Sequence, residues 1–238
     1  MMDVRNTLNK SPMYEQLADL LETQIITAYE QGGKLPSEQA LAEQYQVSRT
    51  IIREAIKLLH ERGLIDSRTG SGAYVTKPEA NNVSDVVSRI IRMNNIDAQA
   101  IYDVRGILEE AAVRRAAQYV TKEQIARMER TLATLRDRSI SFDQRRDFDF
   151  EFHYQIAQAS GNPLLVVLIE TMANVFKDVI TSGIFLEGGI DDGIMRHQKI
   201  LNAIAARDPD QAELAMREHL AQSLSNVKAF HQSSNAGE

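Results

Sequence analysis

Residues 35–75 have the sequence LPSEQALAEQYQVSRTIIREAIKLLHERGLIDSRTGSGAYV, and this stretch decides the fold of the first part of the chain. Ser37 and Ser48 each stand directly before a helical pattern, where a serine side chain can accept a hydrogen bond from a first-turn N–H group. Only Gln46 and Val47 separate the first pattern from Ser48, so the connection is tight. The stretch therefore predicts two short helices joined by a turn.

The second of these helices has a basic side. Arg49, Arg53 and Lys57 recur every four residues and share one face, while apolar residues at helical spacing face inward. Taken alone, this spacing favours an ordinary solvated surface. A tight turn followed by a helix with polar and basic first turns is, however, how a recognition helix meets the DNA major groove. The two features together indicate a helix-turn-helix.

A hairpin is predicted after the basic helix. Strand-like residues at 64–68 and 73–75 flank a turn of small residues at 69–72. A glycine-rich loop that holds phosphate would join a strand to a helix, whereas this loop joins two strands, so a nucleotide-binding enzyme is excluded. Since a further helix is predicted to start at Ser11-Pro12, residues 11–76 predict a winged helix-turn-helix, with the hairpin as its wing.

The same stretch resembles the DNA-binding domain of the GntR family of bacterial regulators. The likeness is carried by several motifs in order, which are LPSE, VSRT, IREAI, the GL before the wing, and GSGAYV. It implies that the chain contacts DNA through Ser48, Arg49, Thr50, Arg53 and, in the wing, Gly70. Family members commonly carry Arg where this chain has Gln39, which can hydrogen-bond adenine but supplies no charge. Gln39 is therefore a further candidate contact.

Composition restricts the remaining possibilities. The chain has 238 residues, no cysteine and a net charge of −6, so any metal site must use His, Asp or Glu, and any DNA-binding face must be local. Residues 77–82 are polar and contain Pro78, which indicates a linker. No apolar run is long enough for a membrane span or a signal core, so we expect a cytoplasmic protein with no membrane partner.

Residues 83–230 have helical patterns throughout. Breakers such as Gly161-Asn162-Pro163 and the helix start at Asp208-Pro209 divide them into six to seven amphipathic helices with short connections. Such helices pack as an antiparallel bundle, in which polar sites are built from inward-pointing side chains. The predicted fold class is therefore mostly α: a winged helix-turn-helix of three helices plus a β-hairpin wing, followed by an all-α antiparallel bundle.

Three histidines border apolar faces of the predicted bundle helices, namely His153, His197 and His219. Asp149 is four residues before His153, so the two side chains share a helix face and can bind one ion together. Any one of these histidines is by itself more typical of a satisfied core residue. One carboxylate and three imidazoles on inner faces favour a site for a divalent ion, zinc first, with nickel or manganese as alternatives.

A second resemblance covers residues 98–225. The segments IYDVRGILEEAAVRRAA, FDFEFHYQIAQASGNPLL and HQKILNAIAARDPDQAELAMREHL look like the effector-binding FCD domain of the FadR subfamily of GntR regulators. In metal-binding members the ligands are one Asp and three His in this order, which implies Asp149, His153, His197 and His219 as ligands. The Asp-Val-Arg motif implies that Arg105 grips an effector carboxylate, with Asp103 and Asn174 as further candidates for the pocket.

The combined expectation is a homodimeric transcriptional regulator, by family default a repressor. Its winged domains read half-sites of a pseudo-palindromic operator, and a carboxylate metabolite, an organic or sugar acid, shifts their placement. A regulator whose metal is purely structural and takes no effector is the open alternative. A metal-dependent hydrolase is disfavoured because the chain lacks H-E-x-x-H spacing and because an enzyme does not explain the recognition helix, so no enzyme activity is expected.

Overall fold

The computed structural model describes residues 11–68, 71–76, 80–184 and 189–235 of the chain. The chain forms two compact units, Met1–Asn82 and Val83–Glu238, which we call the N-terminal and C-terminal units. A helix starts at Ala80, inside the segment predicted as a linker. The domain bounds drawn from the sequence stay predictions. Within the described ranges, no helix has both the length and the apolar character that a membrane span requires.

The N-terminal unit contains α1 (Met13–Ala28), α2 (Glu38–Tyr45), α3 (Arg49–Glu61), β1 (Ile65–Arg68) and β2 (Gly72–Val75). Both predicted caps are present. Ser37 Oγ accepts a hydrogen bond from the N–H of Ala40 at 3.2 Å. Ser48 Oγ accepts one from the N–H of Ile51 at 3.4 Å. Between the helices, Gln46 has a φ of 54°, and this left-handed residue ends α2 and turns the chain into α3.

The hairpin completes this unit. β1 and β2 are antiparallel, with Ile65 opposite Val75, and form the predicted wing. The segment before α2 also pairs with β2, since the N–H of Leu35 donates to the carbonyl of Ala73 at 2.9 Å. Apolar side chains of α1, α3 and the hairpin, Ile52 among them, meet in one core. The core fixes α3 by its apolar side and leaves its basic side outward.

The described part of the C-terminal unit is all-helical: α4 (Ala80–Met93), α5 (Ala98–Tyr119), α6 (Lys122–Arg136), α7 (Phe142–Ala159), α8 (Pro163–Ile184), α9 (Gly189–Ala205) and α10 (Pro209–Asn235). Local sequence sets several of the helix starts. Thr121 and Ser141 each form a capping box, in which the hydroxyl accepts from the third helical residue, and that residue's glutamine side chain accepts from the cap's N–H. Together with the winged unit, these helices confirm the predicted fold class.

The helices of the C-terminal unit surround one main core. Helix α10 packs against α5, α8 and α9, and α7 packs against α5, α6 and α8. Fully buried side chains such as Phe152 on α7, Ile200 on α9 and Met216 on α10 meet at its centre. The inward sides of three helices therefore converge next to these apolar residues, and polar side chains at neighbouring helical positions are brought together there.

Candidate metal centre and DNA-binding surface

Three histidines meet in the buried interior of the C-terminal unit. His153 comes from α7, His197 from α9 and His219 from α10, and all three are buried. Each offers a ring nitrogen, and these nitrogens lie within 4.8 Å of one another. The Nε2 atoms of His153 and His197 are 3.2 Å apart. The structure therefore brings together three of the four metal ligands predicted from the sequence.

Packing holds the rings in place. The ring of the buried Phe152 lies against that of His197, with 4.7 Å between the centroids and a tilt of 43° between the rings. The rings of His197 and His219 are 4.5 Å apart by the same measure. Because the surroundings are apolar, three imidazoles here must either bond one another or bind something else.

Burial keeps two of these imidazoles neutral. Burial lowers the pKa of His197 to about 4, although the nearby carboxylate of Asp149 opposes this shift. Burial and the neighbouring histidines lower the pKa of His219 well below its usual value. The Nδ1 atoms of His197 and His219 have no hydrogen-bond partner among the described residues. Neutral rings with unpaired buried nitrogens are in the state that metal ions bind, so the cluster fits a divalent ion.

Asp149 lies at the edge of this cluster. Its Oδ1 is 3.5 Å from Nε2 of His197, and its side chain is 21% exposed. It shares the α7 face with His153 as the four-residue spacing predicts. Its carboxylate can therefore supply an oxygen ligand from the side that opens to solvent, although among the described residues the close group of donor atoms consists of the three histidines.

A buried ion pair on α5 supports the cluster. The Nε of Arg105 donates to Oε1 of Glu109, and Oε2 of Glu109 contacts Nδ1 of His153. Burial opposes ionisation of Glu109, but the neighbouring Arg105 and His153 outweigh it and hold the pKa of Glu109 at about 2. An acceptor at Nδ1 places the proton of His153 there and turns Nε2 toward the other histidines. Glu109 was not among the residues predicted from the sequence, although its place four residues after Arg105 was a signal.

A cavity of about 60 Å³ opens beside the histidines. Its walls come from α5, α6, α7, α9 and α10, and its charged or polar lining includes Arg105, Arg145, Asp149, Asp192, Arg196, His197, His219, Gln222 and Asn226. Arg105 lies among these lining residues. Asp103 does not: it is exposed and accepts a hydrogen bond from Gln99 at 2.8 Å. Asn174 belongs to α8, but its side chain lies outside the described residues.

The predicted DNA contacts form an exposed surface at the start of α3. Ser48, Arg49, Thr50 and Arg53 are all exposed there. Gln39 is exposed on α2 and donates to Glu43 at 3.1 Å. Gly70 lies outside the described residues. The carboxylate of Glu38 pairs with both arginines, and this contact was not predicted from the sequence because it joins two helices.

Two family models match these two units. Residues 13–75 match the model described as bacterial regulatory proteins, gntR family, and residues 100–222 match the FCD domain. The chain has a winged helix-turn-helix and a helical domain with an enclosed polar site, which is the organisation of a DNA-binding regulator. The chain belongs to the GntR family of bacterial regulatory proteins and carries an FCD domain.

Individual relatives agree with this assignment. The HTH-type transcriptional regulator LutR of Bacillus subtilis (strain 168) is 33% identical over 194 residues, which cover 79% of this chain and 89% of LutR. The HTH-type transcriptional repressor NanR of Edwardsiella tarda (strain FL6-60) is 30% identical over 227 residues, covering 91% and 85%. These relatives are transcriptional regulators, which agrees with the DNA-binding regulator that the sequence predicts.

A solved structure shows the same architecture. Streptococcus agalactiae GntR has 26% sequence identity and a TM-score of 0.70, and the match covers 89% of this chain and 99% of that one. The similarity extends over both units and therefore supports the winged helix-turn-helix and the helical domain together.

Proposed function

We propose that this chain is a ligand-responsive repressor of the FadR subfamily. It binds a pseudo-palindromic operator as a homodimer, and its affinity for that operator changes when a small carboxylate metabolite binds at a metal-containing pocket in the C-terminal unit. The observation that carries the proposal is the buried histidine cluster, in which His197 and His219 line the same cavity as Arg105. DNA contacts come from Ser48, Arg49, Thr50 and Arg53, with Gln39 and Gly70 as further contacts.

The metal would be held by His153, His197 and His219, with Asp149 as the fourth ligand. Nitrogen and carboxylate donors suit a borderline divalent ion, zinc first and nickel or manganese next. When bound, such an ion supplies a positive charge that attracts ligand oxygens. Glu109 orients His153, so the chain supplies both the ligands and the partner that fixes one of them.

Charge favours an anionic effector. The cavity is lined by three arginines, and three carboxylates offset them: Asp149 and Asp192 on its walls and Glu109 paired with Arg105. These charges balance among the described residues. A bound divalent ion would therefore leave the cavity with a net positive charge. Arg105 presents a planar guanidinium suited to a carboxylate.

Size favours a short effector. A cavity needs roughly 10–15 Å³ of free volume to hold one water molecule. The cavity of about 60 Å³ then holds only a few water-sized groups. Within the proposed class, this volume favours short organic acids over sugar acids.

An apolar surface on α5 and α8 supports the homodimer. Val104 and Ile107 on α5, together with Leu164, Val167 and Leu168 on α8, are exposed although they are large and apolar. The two helices pack against each other, and we infer that these exposed residues lie together as one apolar patch. Patches of this kind on a regulator are typical of protein interfaces, and a second copy would present the same patch in a twofold arrangement.

Repression is proposed from the family resemblance and from the relative named as a repressor, NanR. A homodimer of winged domains reads two half-sites, and an effector acts by binding one arrangement of the domains more tightly than the other. As a regulator of bacterial DNA, the protein acts in the cytoplasm.

The metal content of the purified full chain tests the pocket. After dialysis without chelator, we expect about one divalent ion per chain by mass spectrometry, as for a site with four protein ligands. His153→Ala and His219→Ala each remove a ligand and should lose the ion. His60→Ala is the matched control, because His60 is exposed on α3 and lies in the other unit.

An ion that remains bound in both ligand variants would contradict the pocket. An ion that is lost as predicted, in a protein whose operator affinity responds to no organic acid, would favour the purely structural metal. The DNA-binding assignment stands in either case, since it rests on the N-terminal unit and the family.

A further inference from the structure

Glu38 places a negative charge on the proposed DNA-binding surface. It is the first residue of α2, and its Oε2 accepts a hydrogen bond from Nε of Arg53 at 2.8 Å. The same oxygen is 3.9 Å from Nη2 of Arg49. The side chains of Arg49 and Arg53 are 59% and 63% exposed, so the carboxylate lies among the cations that α3 offers to DNA.

Stability accounts for this carboxylate only in part, through the favourable place of an acidic residue in the first turn of α2. Ion pairs with such exposed arginines contribute little to folding stability because water and salt screen them. Affinity for DNA comes from Lys and Arg that displace counterions from phosphates, and a carboxylate between two such cations reduces that attraction. Glu38 therefore acts mainly on the orientation of the arginine side chains that face DNA.

The hydrogen bond selects one edge of the Arg53 guanidinium. Because Nε donates to Glu38, the two terminal Nη groups are left at the exposed end of the side chain. Arg recognises guanine by two parallel hydrogen bonds to O6 and N7, and a planar fork that is already oriented loses less freedom on binding. Glu38 thus holds Arg53 in a geometry suited to a base edge rather than to a passing phosphate.

We propose that Glu38 is a positioning residue that sets sequence discrimination, because it orients Arg53 and weakens binding to DNA that lacks the matching base. The inference rests on the proposed function, in which Arg49 and Arg53 face DNA. It goes beyond that function in assigning a specificity role to an acidic residue that does not itself need to touch a base.

Glu38→Gln separates this role from a structural one, since it keeps the size of the side chain and removes its charge. Affinity for an unrelated duplex should rise by about threefold to tenfold. The slope of log affinity against log salt concentration should become steeper by about one unit. The ratio of operator to unrelated affinity should fall by roughly tenfold, as expected for losing one oriented bidentate contact. A residue needed only for folding would weaken binding to both duplexes.

Glu61→Gln is the matched control. Glu61 is the last residue of α3 and pairs with Lys57 rather than with Arg49 or Arg53. Its replacement makes the same change in net charge, so it should strengthen binding to both duplexes by similar factors and leave their ratio unchanged. The comparison of the two variants separates the effect of the position of the charge on DNA binding from the effect of net charge alone.

The experiment uses the full chain and two probes: a duplex that the wild-type chain selects from a random-sequence pool, and a scrambled duplex of the same composition. Fluorescence anisotropy over a series of KCl concentrations gives both affinities. A ratio of operator to unrelated affinity that falls by roughly tenfold in Glu38→Gln and stays unchanged in Glu61→Gln supports the proposal. If Arg53→Ala abolishes selective binding while Glu38→Gln leaves the ratio unchanged, the positioning role is overturned. If the wild type selects no duplex, the proposed function itself fails.

Discussion

Replacing Glu109 by Gln removes the negative charge from a buried ion pair and keeps the size of the side chain. The side chains of Arg105 and Glu109 are only 3% and 6% exposed, so solvent does not screen the positive charge that remains. Removing one partner of such a pair costs about 3–5 kcal/mol, because the other charge stays buried after its main counter-charge is lost. We expect a loss of this size in the free energy of unfolding of the metal-free protein, measured by urea titration with circular dichroism.

The same change should weaken metal binding. Glu109 contacts Nδ1 of His153, and the loss of such an orienting partner typically costs about 10–100-fold in metal affinity. Competition with a chelator that reports zinc gives this number directly. The two effects share one residue but have separate readouts.

Glu110→Gln is the matched control for both readouts. Glu110 is the next residue on α5 and pairs with Arg217 at 2.7 Å, but the side chain of Arg217 is 55% exposed. Such a pair contributes about 0–1 kcal/mol, and Glu110 does not contact the histidines in the described structure. If Glu109→Gln costs no more than this control and zinc affinity is unchanged, the supporting role of the buried pair is refuted.

The remaining predictions concern the metal, the dimer and the effector. Zinc added to the metal-free protein at about a hundredfold excess over its Kd should raise the free energy of unfolding by about 2.7 kcal/mol and the Tm by roughly 5–10 °C. An unchanged Tm would contradict binding of zinc to the folded protein. Ile107→Glu should weaken the dimer by about tenfold or more in sedimentation analysis, because it places a charge in the apolar patch, and should leave zinc content unchanged; an intact dimer would place the interface elsewhere. Arg105→Lys should keep the charge but reduce the response of operator binding to organic acids by about tenfold, while an undiminished response would exclude a bidentate role.

The winged unit could be predicted almost completely because its signals are local. Ser37 and Ser48 cap the helices that their positions predict, and the small residues between the two strands mark the wing. The pairing of the segment before α2 with β2 could not be predicted, because it joins residues far apart in the chain and leaves no periodic pattern.

In the C-terminal unit, helical spacing located His153, His197 and His219 on inner faces, but it could not show that three helices bring them to one point. Asp103 shows the limit of reasoning from a motif. It is two residues from Arg105, and residues at that spacing on a helix do not share a face, so a buried Arg105 leaves Asp103 exposed. This outcome followed from geometry that was already available in the sequence.

The ion pairs of Glu109 and Glu38 mark a second limit. The pair of Glu109 with Arg105 follows from helical spacing, whereas its contact with His153 and the contact of Glu38 with α3 join different helices. Charged residues have no periodic signature that identifies a partner on another element. A sequence therefore shows candidate cations more readily than the carboxylates that position them.

The central claim is that a carboxylate bound in the metal pocket changes the affinity for DNA. The most direct test is the operator affinity of the zinc-loaded full chain, measured against a panel of short organic acids. At least one acid should change the affinity by about 5–150-fold, which is the usual range of such coupling, and His219→Ala should abolish the change. A wild-type affinity that responds to no acid, or a response that persists in His219→Ala, would contradict the claim.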